Sequence, residues 1–288
     1  MIAIKERPES LISIEGITFG YGKKNPIFED FSLVIPQGQI IGLLGKNGTG
    51  KSTLLYLMSG LLHSQQGNIS CLGRNVQKRL PQTLEEMYLV PEEFALPAVS
   101  MKEYVKMNAG FYPRFSFELL EACLRDFDLN TDINLGELSM GQKKKAFICF
   151  ALATNTRLLL MDEPTNGLDI PSKAQFRKVI ASGMTDEKSI VISTHQVRDI
   201  DSLLDHITII DGTHVLLNQP VVNITDRLLF TEQSIHEPTD DALFFQPSVY
   251  GNSVIFANTA QEESTLNLEL LFNATLAERE KIQSIFNL

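Results

Sequence analysis

This chain of 288 residues predicts an α/β fold with a largely parallel sheet. Three observations carry that expectation: short apolar runs alternating with helical stretches, a glycine-rich turn between one such run and a helix, and a second apolar run ending in two adjacent acids. Taken in order, residues 11–19 and 31–35 read as antiparallel hairpin material. Residues 39–44 (Gln39-Ile40-Ile41-Gly42-Leu43-Leu44) make a buried strand, and Leu54-Leu55-Tyr56-Leu57-Met58 supplies the helix beyond the turn. Further strands are expected at 87–90, 157–161, 189–193, 206–210 and 214–217, alternating with helices.

Between about residues 91 and 156 the pattern becomes mostly helical, as a small subdomain inserted into the sheet. Phe117, Leu120, Cys123, Leu124 and Phe127 fall at helical spacing on one face, with Glu118, Glu121 and Arg125 turned away. A composition shift near Asn218-Gln219-Pro220 divides residues 1–218 from an accessory region, 219–288, that holds ten acidic and only three basic side chains. In that region, residues 243–245 and 254–256 read as short strands around a Pro-Ser-Val-Tyr-Gly-Asn turn, and helices are expected at 262–272 and 275–286. The last helix has a polar face that is not basic, which favours protein packing over a lipid surface.

A net charge of −10 argues against a general nucleic-acid binder. No apolar run approaches the ~20 residues needed to cross a bilayer, and the first eight residues carry no apolar leader, so a cytoplasmic chain is expected. Cys71, Cys123 and Cys149 are odd in number and widely spaced, which suggests structural burial rather than a disulfide framework or a zinc site.

The chemistry is concentrated in two places. Gly45-Lys46-Asn47-Gly48-Thr49-Gly50-Lys51-Ser52 fits the phosphate-binding pattern G-x-x-x-x-G-K-[ST], directly after a strand and before a helix. Such a loop points successive backbone N–H groups at one anion, Lys51 adds a cation for the outer phosphates, and the Ser52 hydroxyl suits Mg²⁺. Asn47, Gly48, Gly50 and Thr53 belong to the same phosphate-facing set. The second place is the end of the strand Arg157-Leu158-Leu159-Leu160-Met161-Asp162-Glu163. Asp162 is positioned to hold Mg²⁺ through water and Glu163 to polarise a water for in-line attack on a γ-phosphate.

Twenty-three residues before Asp162, Ser139 opens Leu138-Ser139-Met140-Gly141-Gln142 ahead of a helical run, which makes a second anion-binding point. Here the sequence resembles the nucleotide-binding subunits of ATP-binding cassette (ABC) transporters, whose signature is Leu-Ser-Gly-Gly-Gln, over about residues 11–218. The resemblance implies a P-loop NTPase core with an antiparallel β subdomain and a helical subdomain, joined here to a small α+β C-terminal extension. It implies that Tyr21 stacks on adenine, that Ser139 and Gly141 touch phosphate, that Asn166-Gly167-Leu168-Asp169 meets the opposite subunit, and that His195, after Thr194, contacts the γ-phosphate. Two positions depart from the pattern: Met140 replaces the first glycine of the signature, and Glu92 stands where the family has a loop glutamine. Glu92 retains oxygen atoms for Mg²⁺ but donates no hydrogen bond when ionised.

The same resemblance implies that ATP and Mg²⁺ are the cofactors and that Lys51, Glu163 and His195 act in ATP hydrolysis. It also implies two cassettes sandwiching ATP, by simplest inference two copies of this chain, although a paired cassette fits too. A separate transmembrane permease completes the expected assembly, with the chain peripheral at the inner face of the cell membrane. The compact helical insert and a tail similar to those of bacterial exporter-type cassettes, such as the bacitracin- and acetoin-transport groups, favour a transporter. The alternative is a soluble cassette ATPase, for example in iron–sulfur assembly.

Overall fold

The computed structural model describes residues 10–22, 26–249 and 251–286. The first eight residues, read above as lacking an apolar leader, lie outside the described residues, as does Tyr250 of the expected turn.

Thirteen strands are found among the described residues: β1 Ser10–Phe19, β2 Phe28–Pro36, β3 Ile40–Leu44, β4 Gln66–Cys71, β5 Arg74–Asn75, β6 Met87–Val90, β7 Leu158–Asp162, β8 Ser189–Thr194, β9 His206–Asp211, β10 His214–Pro220, β11 Leu228–Gln233, β12 Phe244–Ser248 and β13 Gly251–Ala257. The helices are α1 Lys51–Met58, α2 Pro81–Leu84, α3 Met101–Asn108, α4 Phe117–Asp126, α5 Met140–Ala153, α6 Ile170–Ser182, α7 Val221–Arg227, α8 Leu268–Ala277 and α9 Arg279–Phe286.

The central sheet runs β10-β9-β3-β8-β7-β6. Its strands are parallel except β10, which returns antiparallel along β9. Strands β3, β7 and β8 are buried at every position, as expected for parallel strands covered on both faces. A separate antiparallel sheet, β2-β1-β4-β5, alternates buried and exposed residues along β2 and covers one side. Its apolar face joins Ile41, Leu43, Leu54, Leu158 and Val191 in one core cluster. A second cluster on the other face gathers Leu159, Met161, the inner side of α5 and Phe176 of α6.

Sequence reasoning missed β4 and β5 because Gln-Gly-Asn-Ile-Ser-Cys carries a weak apolar signal. In α4, Leu120, Cys123, Leu124 and Phe127 are buried as spaced, but Phe117 is 63% exposed. Phe117 occupies the first helical turn, where it meets Phe115 edge-on at 5.1 Å between ring centroids. All three cysteines are buried, and burial pushes the Cys71 thiol up to about 12 and that of Cys123 to about 11. They are inert packing groups at neutral pH.

The tail differs most from expectation. Strand β10 continues through residue 218 to Pro220, so the composition shift falls inside a strand. Beyond it lies a three-stranded antiparallel sheet, β11-β13-β12, of which β11 was not foreseen. Helix α8 starts at Leu268 rather than 262 because the Asn267 side chain accepts a hydrogen bond from Leu270 N and caps it. Leu270, Leu271, Ala274, Ile282 and Phe286 are buried in the same cluster as Ile207, Ile209 and Leu217, so tail and central sheet share one core.

Candidate functional site

Five parallel strands deliver their carboxyl ends to one edge of the central sheet, the place where open α/β sheets bind ligands. There the chain leaves β3 at Leu44, curls through residues 45–50 and enters α1 at Lys51. Gly50 holds φ +99°, and a Cβ on it would sit 2.7 Å from Ile27 Cγ2 and 2.8 Å from Phe28 Cζ, so both conformation and space demand glycine. Helix α1 has no side-chain cap, and its first N–H groups open toward the loop. Lys51 is buried, and its Nζ donates to the carbonyls of Gly45 (2.8 Å) and Lys46 (3.2 Å). Burial pushes its pKa down, while Glu163, Asp162 and Glu92 pull it back up.

The acids stand opposite. Asp162, at the end of β7, is buried and accepts from Ser193 Oγ at 2.5 Å. Glu163 follows with φ +44°, a left-handed conformation that a non-glycine residue holds only when its surroundings over-determine it. The surroundings do so. Its N–H donates to Ser193 O at 3.0 Å. Its carboxylate accepts from Thr194 Oγ1 (3.0 Å) and His195 N (3.1 Å) and meets His195 Nδ1 at 2.7 Å. The His195 side chain remains 40% exposed, with its ring reaching the cavity.

That cavity has a volume of about 470 Å³, within the range of small-molecule sites. Its wall is made by Asn47, Gly48, Gly50, Lys51, Ser52 and Thr53 from the loop and α1, together with Glu92, Glu163, His195, Tyr21 and Ile27. Tyr21 is 69% exposed, but its position is set by a 3.2 Å bond from its hydroxyl to Thr53 Oγ1 and an edge-on contact with Phe19. An aromatic face therefore stands beside the phosphate loop. Glu92, not Glu93, lines the cavity, and its Oε1 accepts from Asn166 Nδ2 at 2.9 Å. Asn166 Oδ1 in turn accepts from Gln196 Nε2 at 2.8 Å, so one amide links the Glu92 loop to the segment after His195.

Three of the expected loop and signature residues lie off the cavity. Gly45 sits beneath Lys51, where a Cβ would meet Thr49 Oγ1 at 2.6 Å and Ile210 O at 2.8 Å. Ser139 and Gly141 are not on the cavity. Ser139 caps α5 in a reciprocal pair with Gln142, is exposed, and is followed by Met140 at 63% exposure. Gly141 approaches the 166–169 loop, where its Cβ position is 3.5 Å from Gly167 O.

Sequence reasoning overlooked Lys144. Its Nζ donates to the carbonyls of Glu163 (3.2 Å) and Asn166 (2.9 Å) from a buried position on α5. A signal existed: residues 144, 147, 148 and 151 share one helical face, and the other three are apolar.

Ser52 and Glu92 line the cavity and the buried Asp162 does not; the hydroxyl and carboxylate oxygens of all three are hard donors of the kind Mg²⁺ takes, alongside phosphate and water oxygens. A glycine-cradled lysine across from a carboxylate–histidine pair, on the carboxyl edge of a parallel sheet, defines a P-loop ATPase.

Comparison with known proteins narrows this further. The family model described as ABC transporter matches residues 28–166. A Bacillus subtilis protein named as an uncharacterized ABC transporter ATP-binding protein, YdbJ, is 30% identical over 242 residues, covering 82% of this chain and 77% of that protein. The manganese transport system ATP-binding protein MntA of Synechocystis is 32% identical over 216 residues, covering 70% and 82%. A solved structure described as the ATP binding subunit of an ABC transporter superposes with TM-score 0.66 at 24% identity, over 75% of this chain and 92% of that one, which supports the fold. The chain belongs to the ABC transporter ATP-binding proteins.

Proposed function

We propose that this chain powers a membrane transporter by hydrolysing ATP in the cavity between Lys51 and Glu163. The observation that carries the proposal is the single constellation of loop, Lys51, Glu163 and His195 around that cavity. The loop N–H groups and Lys51 hold the phosphate chain, and Tyr21 offers its face to adenine. Glu163, aimed by Thr194 and His195, orients and deprotonates the attacking water, while His195 reaches the γ-phosphate. Mg²⁺ would be held by Ser52, Asp162 and Glu92 and would neutralise developing phosphate charge.

The exposed Ser139–Gly141 turn then belongs to a neighbouring site, in which a second copy of this chain presents its own phosphate loop. Residues up to about 220 form the cassette, and the remainder is an accessory unit packed on its core. Among the described residues no helix is long and apolar enough to cross a membrane, so the path for cargo is assigned to a separate spanning subunit. The relatives named for zinc uptake and for Nod factor export differ in direction, and the cargo is a property of that partner.

Fractionation of the tagged chain from its own cells tests this reading. It should sediment with membranes and, after detergent extraction, carry one spanning protein in fixed ratio. Recovery only in the soluble fraction, with no membrane protein attached, would favour the soluble cassette ATPase.

A further inference from the structure

Three consecutive lysines follow the signature turn, and only the middle one is buried. Lys144 is 4% exposed, whereas Lys143 and Lys145 keep partial access to solvent. An ammonium is costly to bury, and among the described residues Lys144 makes no ion pair. What it does meet is the turn after β7. The Glu163 carbonyl accepts at 3.2 Å and the Asn166 carbonyl at 2.9 Å, so one cation spans the two ends of that turn. Asn166 N also donates to Glu163 O at 3.2 Å, which closes the turn from inside.

This is the turn in which Glu163 adopts φ +44°. The Ser193 backbone holds the N–H side of Glu163, and Thr194 and His195 hold its carboxylate. Lys144 holds the carbonyl side. Through Asn166 the same cation also fixes the amide that bridges Glu92 and Gln196. Burial lowers the Lys144 pKa, and Glu92, Glu163 and Asp162 oppose that loss of charge, so the acids of the cavity help keep the ammonium protonated.

We infer that Lys144 is a positioning residue for ATP hydrolysis, setting the orientation of Glu163 and of the 166–169 loop from the helix that carries Ser139. This rests on the reading of Glu163 as the carboxylate that acts on water. Lys144 lies five positions after Ser139, the N-cap of the same helix α5.

The test is steady-state ATP hydrolysis of the full chain, with nucleotide affinity measured separately by calorimetry. Lys144→Met keeps length and removes the donors; it should lower kcat by roughly 30-fold or more while KM for ATP stays within about threefold, since misaiming a reacting group acts on the chemical step. Lys144→Gln keeps one donor and should fall between Lys144→Met and wild type. Placed on a Glu163→Gln background, Lys144→Met should add less than about twofold, because the two residues act as one unit. Wild-type kcat in Lys144→Met overturns the inference, as does a full multiplicative effect on the Glu163→Gln background or a parallel loss of ATP affinity. Should Lys144→Met fail to fold, Lys144→Gln decides alone: a reduced kcat at unchanged KM supports the role, and wild-type kcat overturns it. Normal turnover in Glu163→Gln would instead overturn the reading of Glu163, and the inference with it.

Discussion

At the ends of β7 and β8 the acids are held across strands, and Lys51 is held by the buried loop that precedes it, whereas at residues 139–141 the hydrogen-bond partners come from one exposed helical turn. Lys51, Asp162 and Glu163 are all under 8% exposed; Lys51 is braced by the carbonyls of Gly45 and Lys46, and the two acids by Ser193 and Thr194 of β8. The Ser139 side chain pairs with Gln142 and its carbonyl accepts from Lys143 N, both within the first turn of α5, and Met140 beside it is 63% exposed. The first region is preorganised, so its dipoles need no rearrangement when charge develops on phosphate. The second is satisfied locally but open outward, with a helix N-terminus that suits an anion supplied from outside the chain. Under the proposed function, one chain carries an inner half-site and an outward-facing half-site.

The largest expected effect comes from breaking the inner region. Lys51→Ala should weaken ATP binding by about 100-fold or more and abolish hydrolysis, because a buried charge-assisted contact to phosphate is lost. Calorimetry checks it, and wild-type affinity would mean the cavity is not the nucleotide site. The smallest effect is expected at the periphery of the same region. Glu92→Gln should change the hydrolysis rate by no more than about threefold, since the amide oxygen still accepts from Asn166 and remains a hard donor. A hundredfold loss would place the Glu92 carboxylate among the groups that do the chemistry.

The inner region was legible in the sequence because its residues are contiguous there. A phosphate loop needs its glycines and Lys51 in one run, and an acid-tipped buried strand announces itself by composition. The outward region was legible from its residues only as a capped helix N-terminus able to take an anion; which phosphate it meets came from the resemblance. Tertiary contacts hid the rest. Lys144 looks like one of three solvated lysines until the phase of α5 is considered, and Gln196 has no motif at all. The tail's helices were shifted because Asn267 caps α8 later than apolar spacing suggested, and β4 was lost because glycine and asparagine dilute its alternation.

The central claim is that the outward turn of one chain completes the inner site of another. It is tested most directly by light scattering on Glu163→Gln with ATP and Mg²⁺. The amide keeps the shape of Glu163 but slows chemistry by roughly 10²-fold or more, so ATP stays bound. The account predicts a dimer that forms with ATP, dissolves when nucleotide is removed, and is abolished by adding Ser139→Arg, which places a bulky side chain at the shared phosphate. An ATP-loaded Glu163→Gln chain that stays monomeric would contradict it.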